Sequence, residues 1–365
     1  MRHNGEAPQH YSRSMPPASH IISKDDRILV TGAAGFIGSH VVETLLHLGY
    51  HNLVCFVRPS SDRTRLEALI ERTAPDARVE LVTGNLLSPA DCAAACENVV
   101  LIYHLAAAVG DKSFPDAFMN SVVATRNLLD ATLQHGCLRR FVLVSSFTVY
   151  TNQQKSRYLD ETCPIEAHPE NRGEAYCFAK VRQEQIVTKY ARNHGLPFVI
   201  LRPGCVYGQA SEITGRVGIG TFGLFLHLGG SNIIPLTYVT NCADAVVLAG
   251  LTSGVAGEIF NIVDDDLPSS RQFLRQYKKN ATTFKSIFVP HAVSHILCYL
   301  WERYSKWSHG QLPPAFNLSR WNIDWRKTHY TNNKLKARLG WTPRVSTAEG
   351  LRRYFMNCRS KQLNA

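Results

Sequence analysis

The stretch from Arg27 to Tyr50, RILVTGAAGFIGSHVVETLLHLGY, constrains the fold more than any other. Ile28 to Thr31 is a short apolar run, as expected of a buried parallel strand. Gly32, Gly35 and Gly38 follow it. The apolar spacing then becomes helical through Ile37, Val41, Leu45 and Leu46, and Gly49 closes it as a C-cap. A strand, a glycine turn and a helix form a phosphate-binding unit. Gly32 permits the tight turn, Gly35 admits a pyrophosphate, and Gly38 lets helix and strand pack closely. The helix start, with Phe36 and Ile37, offers free N–H groups and a positive dipole end to an anion.

Further apolar runs follow at 52–57, 79–84, 99–107, 140–146 and 198–204, with helical patterns between them. That alternation predicts an α/β fold, a Rossmann-type doubly wound parallel sheet. Ligands of such sheets sit at the carboxyl ends of the strands. After the second strand stands Arg58, where NAD-preferring folds place an acidic residue. A guanidinium can hold a 2′-phosphate bidentately. The cofactor is therefore expected to be NADP or NAD, with NADP favoured.

Between 175 and 180 the chain reads AYCFAK, placing Tyr176 and Lys180 one helical turn apart. Upstream, VSSFTVY ends a strand and turns hydroxyls toward the expected crevice. A phenol with an unperturbed pKa near 10 is a weak base at neutral pH, and a neighbouring ammonium favours the phenolate.

The G-x-x-G-x-x-G spacing of TGAAGFIGSH resembles the extended branch of the short-chain dehydrogenase/reductase superfamily, which includes nucleotide-sugar epimerases and dehydratases. Later segments match it in order: GNLL with Asn85 and Leu86, HLAA with Leu105, Ala106 and Ala107, Asn120 opening the next helix, and LRPGCVYG with Pro203 and Val206. LGWTPR near residue 340 resembles the family's closing element, so the likeness runs from about 26 to 355. Asn85 replaces the family's usual Asp at the adenine and removes a charge. The resemblance implies Ser146, Tyr176 and Lys180 as catalytic residues, with Tyr176 as acid/base. It further implies that Tyr176 and Lys180 touch the cofactor and that Thr148 and Tyr207 touch substrate.

The resemblance also places a smaller C-terminal substrate-binding lobe at 205–235 and 267–355. The cofactor domain spans 25–204, with 236–266 returning to it. Residues 1–24 are expected to be a disordered extension and 356–365 a tail. SSFTVY holds no Asp or Glu, which disfavours a sugar dehydratase and points to a nucleotide-sugar epimerase. The alternative is an NADPH-dependent reductase of dihydroflavonol-reductase type, or a 3β-hydroxysteroid-type dehydrogenase, with an apolar substrate. VRPSSDR and the apolar stretch 286–301 favour that alternative. A homodimer through the helices after Asn120 and around Tyr176 is a family trait.

Ten dispersed cysteines, with no C-x-x-C pair, suit a reducing, cytoplasmic setting and give no metal site. The net charge of +11 is spread along the chain without zinc-finger or aromatic RNA-binding patterns. Anionic small ligands, not nucleic acid, are the expected partners. No run reaches the roughly 18–20 apolar residues that span a bilayer. SIFVPHAVSHILCYLW (286–301) is uncharged, and it reads as a partly buried helix or as a weak peripheral membrane contact.

Overall fold

The computed structural model describes residues 20–110, 112–151, 157–209, 215–221, 223–282, 284–308 and 318–363. The phosphate-binding unit forms as its sequence predicts: β1 (Arg27–Thr31), a turn, and α1 (Phe36–His47). Then come β2 (Asn52–Val57), α2 (Thr64–Thr73), β3 (Arg78–Thr83), α3 (Pro89–Ala95) and β4 (Val99–His104). Next are α4 (Phe114–Ala117), a π-helical stretch (Phe118–Val123), α5 (Ala124–His135), β5 (Arg140–Val144), β6 (Tyr158–Leu159), α6 (Ala175–His194) and β7 (Phe198–Pro203).

Seven parallel strands form the main sheet in the order β12-β7-β5-β4-β1-β2-β3, where β12 is Ile259–Ile262. Successive strand residues point to opposite faces, and both faces are covered. Ile28, Val30, Leu53, Cys55, Leu101 and Tyr103 therefore join one core layer, with Val41 and Leu45 of α1. Leu29, Val54, Phe56, Ile102, Phe141 and Leu143 join the other, with Leu128 of α5 and Val187 of α6. Fully burying such a side chain is worth about 1.5–3 kcal/mol, so the alternation fixes the register of every strand. The order reverses at β1, between β2 and β4. The crevice at their carboxyl ends is the ligand position of this topology.

The chain leaves the sheet through β8 (Cys205–Tyr207), β9 (Gly218–Thr221) and β10 (Leu224–His227), and returns through β11 (Leu236–Tyr238) and α7 (Val239–Leu251), which packs on α1. After β12 come α8 (Ser270–Asn280), β13 (Ser286–Phe288), α9 (His291–Trp307), α10 (Leu318–Asp324), β14 (His329–Tyr330), α11 (Asn333–Leu339) and α12 (Thr347–Leu363). β13, β10 and β9 form a small sheet. Tyr207, Leu236, Phe273, Tyr354 and Phe355 centre a separate cluster.

Two boundaries differ from expectation. Leu335, Leu339 and Trp341, expected in the lobe, pack into the main core. Of the expected N-terminal extension, residues 1–19 lie outside the described residues, but His20 to Lys24 are anchored. His20 bridges Thr252, the Ile21 amide donates to the Leu251 carbonyl, and Ile22 is buried. Ile21 and Ile22 supply the apolar contact that the polar composition of the segment conceals.

Candidate active site

The glycine turn is built by close approach. Gly32 has φ +71°, and a Cβ there would lie 3.0 Å from the Ala106 amide nitrogen. A Cβ on Gly38 would lie 2.0 Å from the Gly32 carbonyl oxygen. Gly35 caps α1 with no side chain, so the first-turn amides of Phe36 and Ile37 face outward. The chain thus leaves a helix N-terminus bare at the carboxyl edge of β1. That arrangement fits the pyrophosphate of a dinucleotide.

Leu105, Ala106 and Ala107 follow β4 and run beside this turn. Leu105 donates to the Thr31 carbonyl at 3.2 Å, and Ala106 to the Thr31 hydroxyl at 3.4 Å. Asn85 follows β3. Its side-chain oxygen accepts from the Leu87 amide, and its own amide donates to Asp91. Leu86 is buried beneath it. Arg58 is exposed just past β2, while Arg63 reaches Thr83 and Glu67. Pro203 ends β7 of the main sheet, and Val206 lies in β8, which pairs with β11.

Beyond β5 the backbone turns at Ser146. Phe147 and Val149 point into a buried cluster, so Ser146 and Thr148 are left partly exposed on the other side. The Ser146 hydroxyl accepts from the Thr148 amide at 3.2 Å, which leaves its proton free to donate. Tyr176, on the first turn of α6, faces it. Burial pushes the Tyr176 phenol up, and the Ser146 hydroxyl pulls it the other way. Lys180, one turn on, is buried. Its Nζ lies 5.9 Å from the Tyr176 ring centre and donates to the Val144 carbonyl at 2.8 Å. Burial lowers Lys180 to about 8, and Glu184 opposes the shift.

Known proteins resemble the chain in sequence and in overall fold. The model of the NAD dependent epimerase/dehydratase family matches residues 28–263. The chain belongs to that family. An uncharacterized UDP-glucose epimerase of Bacillus subtilis is 30% identical over 250 residues, covering 65% of this chain and 76% of that protein. The decarboxylating sterol-4-alpha-carboxylate 3-dehydrogenase of Saccharomyces cerevisiae is 28% identical over 352 residues, covering 90% and 97%. The UDP-glucuronic acid 4-epimerase of Bacillus cereus, solved with UDP-glucuronic acid and NAD, superposes with a TM-score of 0.68 at 24% identity, over 92% of this chain and 99% of that one. The chain is therefore an enzyme of the NAD dependent epimerase/dehydratase family with an extended short-chain dehydrogenase fold. Among the described residues, no helix is long and apolar enough to cross a membrane.

Tyr207, expected at the site of this family member, sits elsewhere, and Asn120 has a local setting other than the expected one. Tyr207 is fully buried in the lobe cluster, stacked edge-on against Tyr238 and Tyr354, and its hydroxyl donates to the Thr347 carbonyl. It cannot meet substrate there. Asn120 does not open a helix. The helical run begins at Phe114, capped by Ser113, and Asn120 lies inside the π-helical stretch, donating to the Asp116 carbonyl. Single π-turns inside helices often mark functional sites, and no spacing in the sequence announces this one.

The structure adds residues that sequence reasoning missed. Glu184 and Arg202 form a buried two-pronged pair at 2.9 and 2.6 Å, one turn below Lys180. The i, i+4 spacing from Lys180 to Glu184 was the available signal. His104 is fully buried between β1 and α5. Its Nδ1 meets the Thr31 hydroxyl at 2.7 Å and its Nε2 the Thr125 hydroxyl at 2.8 Å. Thr125 donates to the Ser121 carbonyl, so it must accept from His104 Nε2–H, and Nδ1 accepts from Thr31. Gln183 of α6 also donates to Thr125. A chain of hydrogen bonds therefore links the Tyr176 helix to the loop beside the glycine turn.

Proposed function

We propose that the protein moves a hydride at a secondary hydroxyl or ketone carbon, with Tyr176 as the proton-transferring group. The observation that carries this is the Ser146, Tyr176 and Lys180 set, converging at the carboxyl edge of β5 beside the glycine turn. A nicotinamide cofactor, when bound, supplies the hydride acceptor and donor. Gly32, Gly35, Phe36, Ile37 and Gly38 hold its pyrophosphate through backbone amides. Ser146 donates a hydrogen bond to the substrate oxygen and fixes it. Tyr176 takes the hydroxyl proton as the C–H bond breaks and returns it in the reverse step. Lys180 stabilises the phenolate by its charge.

The leading substrate class is a nucleotide sugar. The 30% identical UDP-glucose epimerase of Bacillus subtilis supports this class, as does the lack of an acidic residue in SSFTVY. Epimerisation needs only removal of a hydride and its return to the other face of a rotated ketose. A sterol-like apolar substrate is the second reading. It is favoured by the near full-length match to the yeast sterol-carboxylate dehydrogenase and by an apolar cavity of about 490 Å³ in the lobe.

Arg58 stands exposed where a 2′-phosphate would lie, and this supports NADP over NAD. If so, NADP(H) binds more tightly than NAD(H), and Arg58→Asp reverses the order; tighter NAD(H) binding by the native chain rejects it. Phe118 and Met119, about 41% and 42% exposed on the helix packed against α6, offer the face for a homodimer. The function itself is tested with a panel of UDP-sugars and hydroxysterols. Tyr176→Phe is expected to lower turnover about 10²–10⁴-fold while cofactor still binds. Native-level turnover in that variant would remove Tyr176 from the mechanism.

A further inference from the structure

Helix α9 has its polarity reversed. Its inward face carries Ser294, Cys298 and Ser305, all buried. At 100° per residue, Val293, Ile296, Leu297, Leu300, Tyr304 and Trp307 share the opposite face. That face is exposed, to 55% at Ile296 and Leu300 and 76% at Trp307. Ile287 and Phe288 of β13, just before α9, extend the patch at 52% and 45% exposure. A surface helix of a globular protein ordinarily shows the reverse. Contiguous exposed apolar patches of this kind mark an interaction site.

The charge around the patch narrows what covers it. From Leu267 to Trp307 the chain has seven Lys and Arg residues and a single acidic residue, Glu302. Arg271, Arg275, Lys279, Lys285, Arg303 and Lys306 are exposed. Arg303 and Lys306 flank the apolar stripe on α9 itself, Lys285 adjoins Ile287, and Arg271 lies 5.3 Å over the Phe288 ring. A second copy would bring an equal excess of positive charge against this one. An anionic surface would not.

A groove beside α9 provides the third observation. It measures about 380 Å³, and Leu226, Leu228, Val289 and Leu297 are among the residues lining it. Leu297, Leu300 and Tyr304 belong both to the groove and to the outward stripe, so the groove opens on the same surface.

We propose that α9 and the β13 edge dock this protein on an anionic lipid bilayer. The apolar stripe of α9 lies in the interface plane, the surrounding cations meet headgroup phosphates and carboxylates, and the groove accepts an acyl chain. A helix with an apolar face and basic flanks binds a membrane surface in this way without spanning it.

The test is flotation of the full chain with vesicles of phosphatidylcholine alone or of phosphatidylcholine with phosphatidylserine, at low and high salt. Partition onto the phosphatidylserine vesicles is expected, weaker at high salt, with a blue shift of Trp307 emission that Trp307→Phe removes. Ile296→Glu with Leu300→Glu changes only exposed side chains and is expected to weaken partition at least about tenfold. Dinucleotide binding by that variant should remain native, showing that it is folded. Lys285→Glu with Lys306→Glu is expected to weaken binding to the phosphatidylserine vesicles severalfold. Absence of flotation with anionic vesicles at low salt overturns the proposal, as does undiminished flotation of the Ile296→Glu, Leu300→Glu variant. A lipid-free dimer that the same variant dissolves would assign the face to a second copy and overturn it equally.

Discussion

Tyr176 and Lys180 are both pushed toward their neutral forms by burial. The phenolate that takes the proton is therefore scarce until positive charge stands beside it, which makes the ammonium of Lys180 necessary. His104 shows the same desolvation without any proposed chemistry. Burial, aided by Lys180, lowers it from 6.5 to about 3. The folded state then refuses a proton that the unfolded chain accepts below about pH 6.5. His104 therefore removes stability as pH drops from about 6.5 toward 3, by up to about 1.4 kcal/mol per pH unit, while Asp264 and Asp244, raised by burial to about 7 and about 6, oppose it over part of that range. Urea unfolding between about pH 7 and 5 of the native chain and of His104→Gln reads its share as the difference between their slopes. Equal slopes in the two proteins would assign the acid sensitivity to other groups.

At the scale of elements, the glycine turn offers a sharper contrast. Gly38→Ala sets a methyl carbon 2.0 Å from a backbone oxygen, and only movement of β1 or α1 can relieve it. The expected cost is about 1–3 kcal/mol of stability. Dinucleotide affinity should fall further, because relief opens the pyrophosphate cradle. Gly49→Ala meets no neighbour but requires φ +81°, so it should cost about 1 kcal/mol and leave affinity unchanged. Melting curves and cofactor titration of the two variants separate the effects; intact affinity in Gly38→Ala would show that the cradle tolerates the shift. These elements were legible in the sequence because strand periodicity, glycine spacing and helix periodicity coincide within 24 residues. The π-turn at Asn120 was not, since nothing in FMNSVV marks one and the stretch is set by tertiary contact with α6. Nor was the burial of Tyr207. Its place in LRPGCVYG matched the family, but the neighbours that enclose it, Tyr238 and Tyr354, come from distant parts of the chain.

For the whole molecule, the question is how the sheet and the segments that leave it hold together. The last hundred residues answer it by crossing back. Leu335 and Leu339 of α11 and the following Trp341 sit in the main core, and the Trp341 indole donates to the Asn241 carbonyl at 3.2 Å. Asn241 itself binds Asp264 and the carbonyl of Val345, so α7, the end of β12 and the approach to α12 meet at one buried amide. The lobe strands therefore lie between two passes of chain that are both fixed in the sheet layer. Trp341→Ala removes the ring that closes this arrangement, and a buried Trp→Ala change costs about 3–5 kcal/mol. Because the contact joins the two parts, the loss should appear as a lower single melting transition, with dinucleotide release coinciding with it. Differential scanning calorimetry with and without cofactor checks this. Two separated transitions in native protein would show instead that the lobe unfolds independently and that Trp341 stabilises only the sheet.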